Sequence, residues 1–102
     1  WATPGVLDRA GCHVSIITDN SVIPQQYLPL CAGMAVKAGM DPFAALKAIT
    51  IHPAEHIGVA DRVGSIQVGK DADLVLTGGC PFGVMAEVKA VYIDGVQVAE
   101  AQ

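Results

Sequence analysis

Basic residues are few. Six Lys and Arg stand against ten Asp and Glu, a net charge of −4, and no cationic cluster exists to neutralise a run of phosphates. A nucleic-acid partner is therefore not expected. Cysteine is sparse too. Cys12, Cys31 and Cys80 are odd in number, far apart and without a C-x-x-C pair. That argues against a disulfide framework or a structural zinc knot and fits a reducing, cytoplasmic setting. Long apolar runs are also missing. The most apolar stretch, residues 27–40, is broken by Pro29, Lys37 and two glycines, and is shorter than the roughly 20 residues a bilayer span needs. With no signal-peptide pattern either, a soluble chain with no membrane partner is expected.

What is present is aliphatic. Apolar residues make up 52% of the 102-residue chain, with 16% charged and 5% aromatic, enough Val, Ile, Leu and Ala to bury a core. The chain opens on Trp1 instead of Met and reads as a piece of a longer protein.

The texture changes near residues 58–64, from helix-like spacing to strand-like alternation, which places a boundary between residues 1–60 and 61–102. In the first part, Thr3-Pro4 opens a helical turn that Gly11 stops, and Cys12 to Ile17 reads as a β-branched strand ending in the polar loop Thr18-Asp19-Asn20-Ser21. Pro24 suits the first turn of a nearly all-apolar helix running toward Gly39. Asp41-Pro42 reads as an N-cap and first-turn proline ahead of the stripe Phe43, Leu46, Ile49. Pro53 starts a further turn that Gly58 can end in a left-handed conformation. In the second part, Ile66 and Val68 alternate and Leu74 to Leu76 form a compact apolar run. Residues 88–98 are split by Asp94-Gly95, a strong hairpin signal.

A carboxylate just beyond a buried strand, in a loop leading to a helix, is where α/β barrels put catalytic groups, and Asp19 has that place. The same residue also suits an Asx-turn that merely caps the loop. Asn20 and Ser21 beside it are candidates for facing a substrate, or for loop capping. His52 and His56 lie four apart, yet Pro53 follows the first and Glu55 is misplaced for the H-E-x-x-H zinc motif, so both read as structural. His13, inside the expected strand, reads as a hydrogen-bonded core histidine. Asp73 reads as an acceptor of backbone N–H groups in a tight turn. Cys31 and Cys12 read as packing residues.

Four segments carry a family resemblance: Ile16-Ile17-Thr18-Asp19-Asn20, Ala48-Ile49-Thr50-Ile51-His52-Pro53-Ala54-Glu55, Gly64-Ser65-Ile66-Gln67-Val68-Gly69-Lys70-Asp71-Ala72-Asp73-Leu74-Val75-Leu76, and Val88-Lys89-Ala90-Val91-Tyr92-Ile93-Asp94-Gly95. In order and spacing they resemble the C-terminal third of the metal-dependent amidohydrolases, in the branch with imidazolonepropionases and Xaa-Pro dipeptidase-like enzymes. The resemblance implies an α/β fold, the last strand and helices of a (β/α)8 barrel plus part of a small β-sandwich, and hydrolysis of amide or cyclic amide C–N bonds.

It also implies that Asp19 is both metal ligand and catalytic base at the end of the eighth barrel strand. The implied cofactor is one or two divalent ions, zinc foremost, and the implied substrate is a small amide or peptide-like molecule. The family's other ligands, a His-x-His, a bridging Lys or Glu and further histidines, have no counterpart in this chain. The chain alone is accordingly expected to be inactive, to hold no metal tightly and to self-associate. At the position of His52 the family usually has an Asn that caps the following turn, so His52 is a departure. The competing expectation is a truncated, non-catalytic module acting in binding or assembly.

Overall fold

The computed structural model describes residues 1–100. Every helix precedes Gly58 and every strand follows Asp73. The order is α1 (Thr3–Arg9), a 3-10 turn (Gln25–Tyr27), α2 (Leu28–Lys37), α3 (Pro42–Ala48), α4 (Ile51–His56), β1 (Leu74–Gly78), β2 (Glu87–Ile93) and β3 (Val96–Glu100).

Proline and aspartate set the helix starts. Pro4 lies in the first turn of α1, and Pro29, not Pro24, lies in that of α2, because Pro24 sits outside helical geometry and precedes the 3-10 turn. Asp41 caps α3, its carboxylate accepting from the Ala44 N–H at 2.9 Å. Removing that acceptor in Asp41→Ala is expected to cost about 1 kcal/mol. Asp41→Asn should lose much less, a contrast readable from urea midpoints. α4 begins two residues ahead of Pro53. Its N-cap position is Thr50, which makes no side-chain cap bond, and His52 is already helical. His52 is thus not a weakened cap. Gly58 ends this segment at φ +78°, as expected.

The helical core is built from small side chains. Ala32 and Ala35 of α2, Met40, and Ala44, Ala45 and Ala48 of α3 are buried together, with Ile16, Val36, Ile49 and Phe82 packed around them. Alanines at these positions let the two helices approach closely. Among the described residues no large side chain is fully buried.

The expected strand over Cys12 to Ile17 is irregular here. Among the described residues its only backbone bond to a helix beyond α1 is Ile16 N–H to the Ala48 carbonyl, 2.9 Å. A strand takes its ladder from a paired neighbour, and among the described residues none lies beside this segment. Cys12 is exposed instead of packed, whereas Cys31 is buried. Ile66 and Val68 likewise form no strand and are exposed.

The three strands form one antiparallel sheet in the order β1-β2-β3. Asp94 and Gly95 take positive φ of 52° and 79°, the mirror-image turn that matches strand twist. Asp73 has the role expected of it: its carboxylate accepts from the Asp94 N–H at 2.8 Å, while the Gly95 N–H bonds the Ala72 carbonyl at 2.9 Å. These bonds tie the hairpin turn to the stretch entering β1. Successive strand residues point to opposite faces. Leu74 and Leu76 on one face and Val75 on the other are all exposed, as are Val88, Val96 and Val98. The sheet is therefore apolar on both sides. No helix among the described residues is long and apolar enough to cross a membrane.

Candidate functional site

Asp19 lies in a polar loop whose backbone is bonded to itself. The Val22 N–H donates to the Asp19 carbonyl at 2.7 Å and the Ile23 N–H to the Thr18 carbonyl at 3.2 Å. Thr18 is buried and anchors the loop, while Asp19, Asn20 and Ser21 are exposed. Asp19 has φ +51°, a left-handed conformation that Asp tolerates better than most residues.

The capping of this loop falls to a neighbour. Asn20 Oδ1 accepts from the Gln25 N–H at 3.0 Å, the bond that leads into the 3-10 turn. None of the side-chain hydrogen bonds or ion pairs among the described residues engages the Asp19 carboxylate. The two alternatives for the loop thus separate: Asn20 closes it, and Asp19 is left with its oxygens free.

A second group of polar side chains gathers at the other end of residues 13–19. His52 and Glu55 are three apart on α4 and share a face, and His56 follows one turn from His52. Onto this face folds His13, whose Nε2 lies 3.4 Å from Glu55 Oε1. The His13 ring stands edge-on to His52 and to His56, at centroid distances of 4.1 and 4.4 Å.

Two backbone-proximal bonds orient the outer rings. His52 Nδ1 lies 2.9 Å from the Val14 carbonyl, and His56 Nδ1 lies 2.6 Å from Ser15 Oγ. A carbonyl only accepts, so His52 Nδ1 is the donor in this bond, and in the neutral ring Nε2 is then the acceptor. His13, His52 and Glu55 present ligand atoms that all lie within 4.8 Å of one another; Asp19 is not among them.

The sequence reading placed His13 in the core and assigned no chemistry to His52 or His56. In the structure His13 and Glu55 are roughly half exposed, at 43% and 46% of their side chains, and form an ion-pair contact. The i, i+3 spacing of His52 and Glu55 was the available signal. His13 carried none, because 39 residues separate it from His52 and only tertiary folding joins them.

The described residues thus set the Asp19 loop ahead of a helical layer and one small antiparallel sheet. Residues 2–98 match the amidohydrolase family, and the chain belongs to that family.

Among relatives, an adenine deaminase of Methanothermobacter thermautotrophicus is 44% identical over 96 residues, covering 92% of this chain and 17% of the relative. An imidazolonepropionase of Geobacillus kaustophilus is 39% identical over 94 residues, 89% of this chain and 21% of the relative. The amidohydrolase tasK of Hapsidospora irregularis is 38% identical over 79 residues, 78% of this chain and 8% of the relative. The crystal structure of an amidohydrolase from Thermotoga maritima superposes with a TM-score of 0.92 at 39% identity, over 97% of this chain and 26% of that one. The chain thus spans about a quarter or less of each of these proteins.

Proposed function

We propose that the protein carrying this chain is a divalent-metal hydrolase of amide or cyclic amide C–N bonds, with Asp19 as metal ligand and proton carrier. The observation that supports this most directly is the division of labour in the loop: Asn20 does the capping, and the Asp19 carboxylate has no protein partner among the described residues. A hard, anionic oxygen donor held open in this way fits a divalent ion of the zinc type.

When bound, such an ion supplies the Lewis acidity that makes water acidic near neutral pH. Asp19 then accepts the proton of the attacking water and returns it to the leaving nitrogen. Asn20 and Ser21 border the substrate, a small amide or peptide-like molecule. An adenine deaminase and an imidazolonepropionase among the relatives support the C–N bond class.

In this reading residues 1–60 close a (β/α)8 barrel in the cytoplasm, and residues 61–102 contribute to a small β-sandwich. The sheet that is apolar on both faces fits that role, since a second layer would cover it.

Chelation tests the function. Stripping metal from the full-length protein is expected to abolish ammonia release or ring opening on cyclic amide and amidine substrates, and Zn2+ should restore it. Activity that survives complete stripping would overturn the reading in favour of a metal-independent or non-catalytic protein. The 102-residue chain alone should be inactive and should self-associate through Ile17, 71% exposed, and the uncovered sheet. Sedimentation at micromolar concentration should find oligomers; a monodisperse monomer would contradict this.

A further inference from the structure

The histidine group is a separate site. We propose that His13, His52 and Glu55 bind a second divalent transition-metal ion, zinc or one of similar softness, independently of Asp19.

Geometry carries the proposal. Two ligands each about 2.0–2.1 Å from a tetrahedral zinc lie roughly 3.3–3.4 Å apart. His13 Nε2 and Glu55 Oε1 stand 3.4 Å apart. The third donor, a ring nitrogen of His52, lies within 4.8 Å of both, and drawing it in would complete a three-ligand face with the fourth position open to solvent. Imidazole with carboxylate is a donor set that selects zinc, nickel or copper over calcium or magnesium.

The support around the ligands points the same way. A metal-binding histidine usually donates its other ring N–H to a carbonyl or carboxylate, which fixes ring and tautomer. His52 Nδ1 donates to the Val14 carbonyl at 2.9 Å, leaving Nε2 for the metal. That carbonyl belongs to the residue next to His13, so one short stretch supplies a ligand and orients another. His52 and Glu55 are presented by one helix face at i, i+3, so two ligands are held before the ion arrives.

The site is also apart from Asp19. Asp19 is not among the residues whose ligand atoms gather within 4.8 Å of one another, and it shares no hydrogen bond with them among the described residues. If the barrel reading above holds, the histidine group lies at the strand's N-terminal end, away from the catalytic face. The proposal itself does not depend on that reading. It departs from the expectation that this chain holds no metal tightly.

The test is zinc stoichiometry on the full-length protein, stripped with a chelator and dialysed against micromolar Zn2+. The wild type is expected to bind one equivalent more than His13→Gln/His52→Asn, and Asp19→Ala is expected to keep that equivalent. Glu55→Gln, at an exposed position, should weaken it by at least about tenfold. The Cu2+ paramagnetic resonance spectrum of Asp19→Ala should carry a set of imidazole nitrogen couplings that Asp19→Ala/His13→Gln/His52→Asn lacks, read as the difference between the two spectra. Equal zinc uptake by wild type and a folded His13→Gln/His52→Asn protein would overturn the proposal. Identical spectra for those two variants would overturn it as well. Failure of the hydrolase reading would leave the histidine equivalent in place, so the two are distinguishable.

Discussion

Asp19→Ala in the full-length protein is expected to lower kcat by at least about 10^3-fold, since it removes a metal ligand and a general base in one substitution. The fold should survive. The Asp19 side chain is exposed and engages no protein group among the described residues, and the loop is closed by Asn20 and by backbone bonds from Val22 and Ile23. Circular dichroism should therefore match the wild type, with the urea midpoint of Asp19→Ala lowered only by left-handed strain at φ +51°, worth no more than about 1 kcal/mol. Asp19→Asn is the sharper variant. It keeps the size and one acceptor oxygen but cannot carry the proton, so its kcat should fall nearly as far as that of the alanine variant. Turnover unchanged in both would remove Asp19 from the chemistry while leaving the family assignment untouched.

The largest stability effect is expected at Gly64. This residue has φ +98°, and a Cβ added there would lie 2.8 Å from the Ala54 Cβ and 3.1 Å from the Ile51 Cα. Both neighbours belong to α4, and Ala54 is buried. Gly64→Ala therefore combines left-handed strain with overpacking against a helix backbone, for a loss of about 3 kcal/mol. Gly69→Ala separates the two causes. It has nearly the same φ, +93°, but a Cβ there meets nothing within 4 Å. Its cost should be strain alone, about 1 kcal/mol. Equal losses at the two positions would mean that the contact with α4 is not what Gly64 protects. Gly64→Ala should also weaken zinc uptake at the histidine group, because α4 presents two of its ligands.

Much of the local structure was legible in the sequence because single residues dictate it. Asp41 caps α3 through its own carboxylate, Gly58 takes the left-handed conformation that ends α4, and Asp94-Gly95 makes the hairpin. Asp73 could be read as a turn acceptor for the same reason: its partner, the Asp94 N–H, serves a turn the sequence already marked. The strand expected over Cys12 to Ile17 was not a matter of propensity. Its residues favour extended chain, but a strand exists only as part of a ladder, and no strand pairs with it among the described residues.

The site divides along the same line. The Asp19 loop could be picked out from residue order, yet which of two adjacent side chains caps it was not readable, since Asp and Asn cap equally well. The histidine group was illegible in one respect only. His52 and Glu55 announce a shared face, whereas His13 joins them through the bond between Ile16 and Ala48 that draws residues 13–16 alongside the helices.

The two-residue turn at Asp94-Gly95 also bears on how the sheet assembles. β2 and β3 are joined by the shortest connection that closes a hairpin, and such hairpins form in about 1–10 μs. β1 reaches β2 only across residues 79–86, a longer loop with a larger closure entropy. On closure entropy alone, β2–β3 pairing costs less than β1–β2 pairing. The Asp73 acceptor, which bridges the stretch before β1 to the finished turn, works as a latch that holds β1 in register once it is paired.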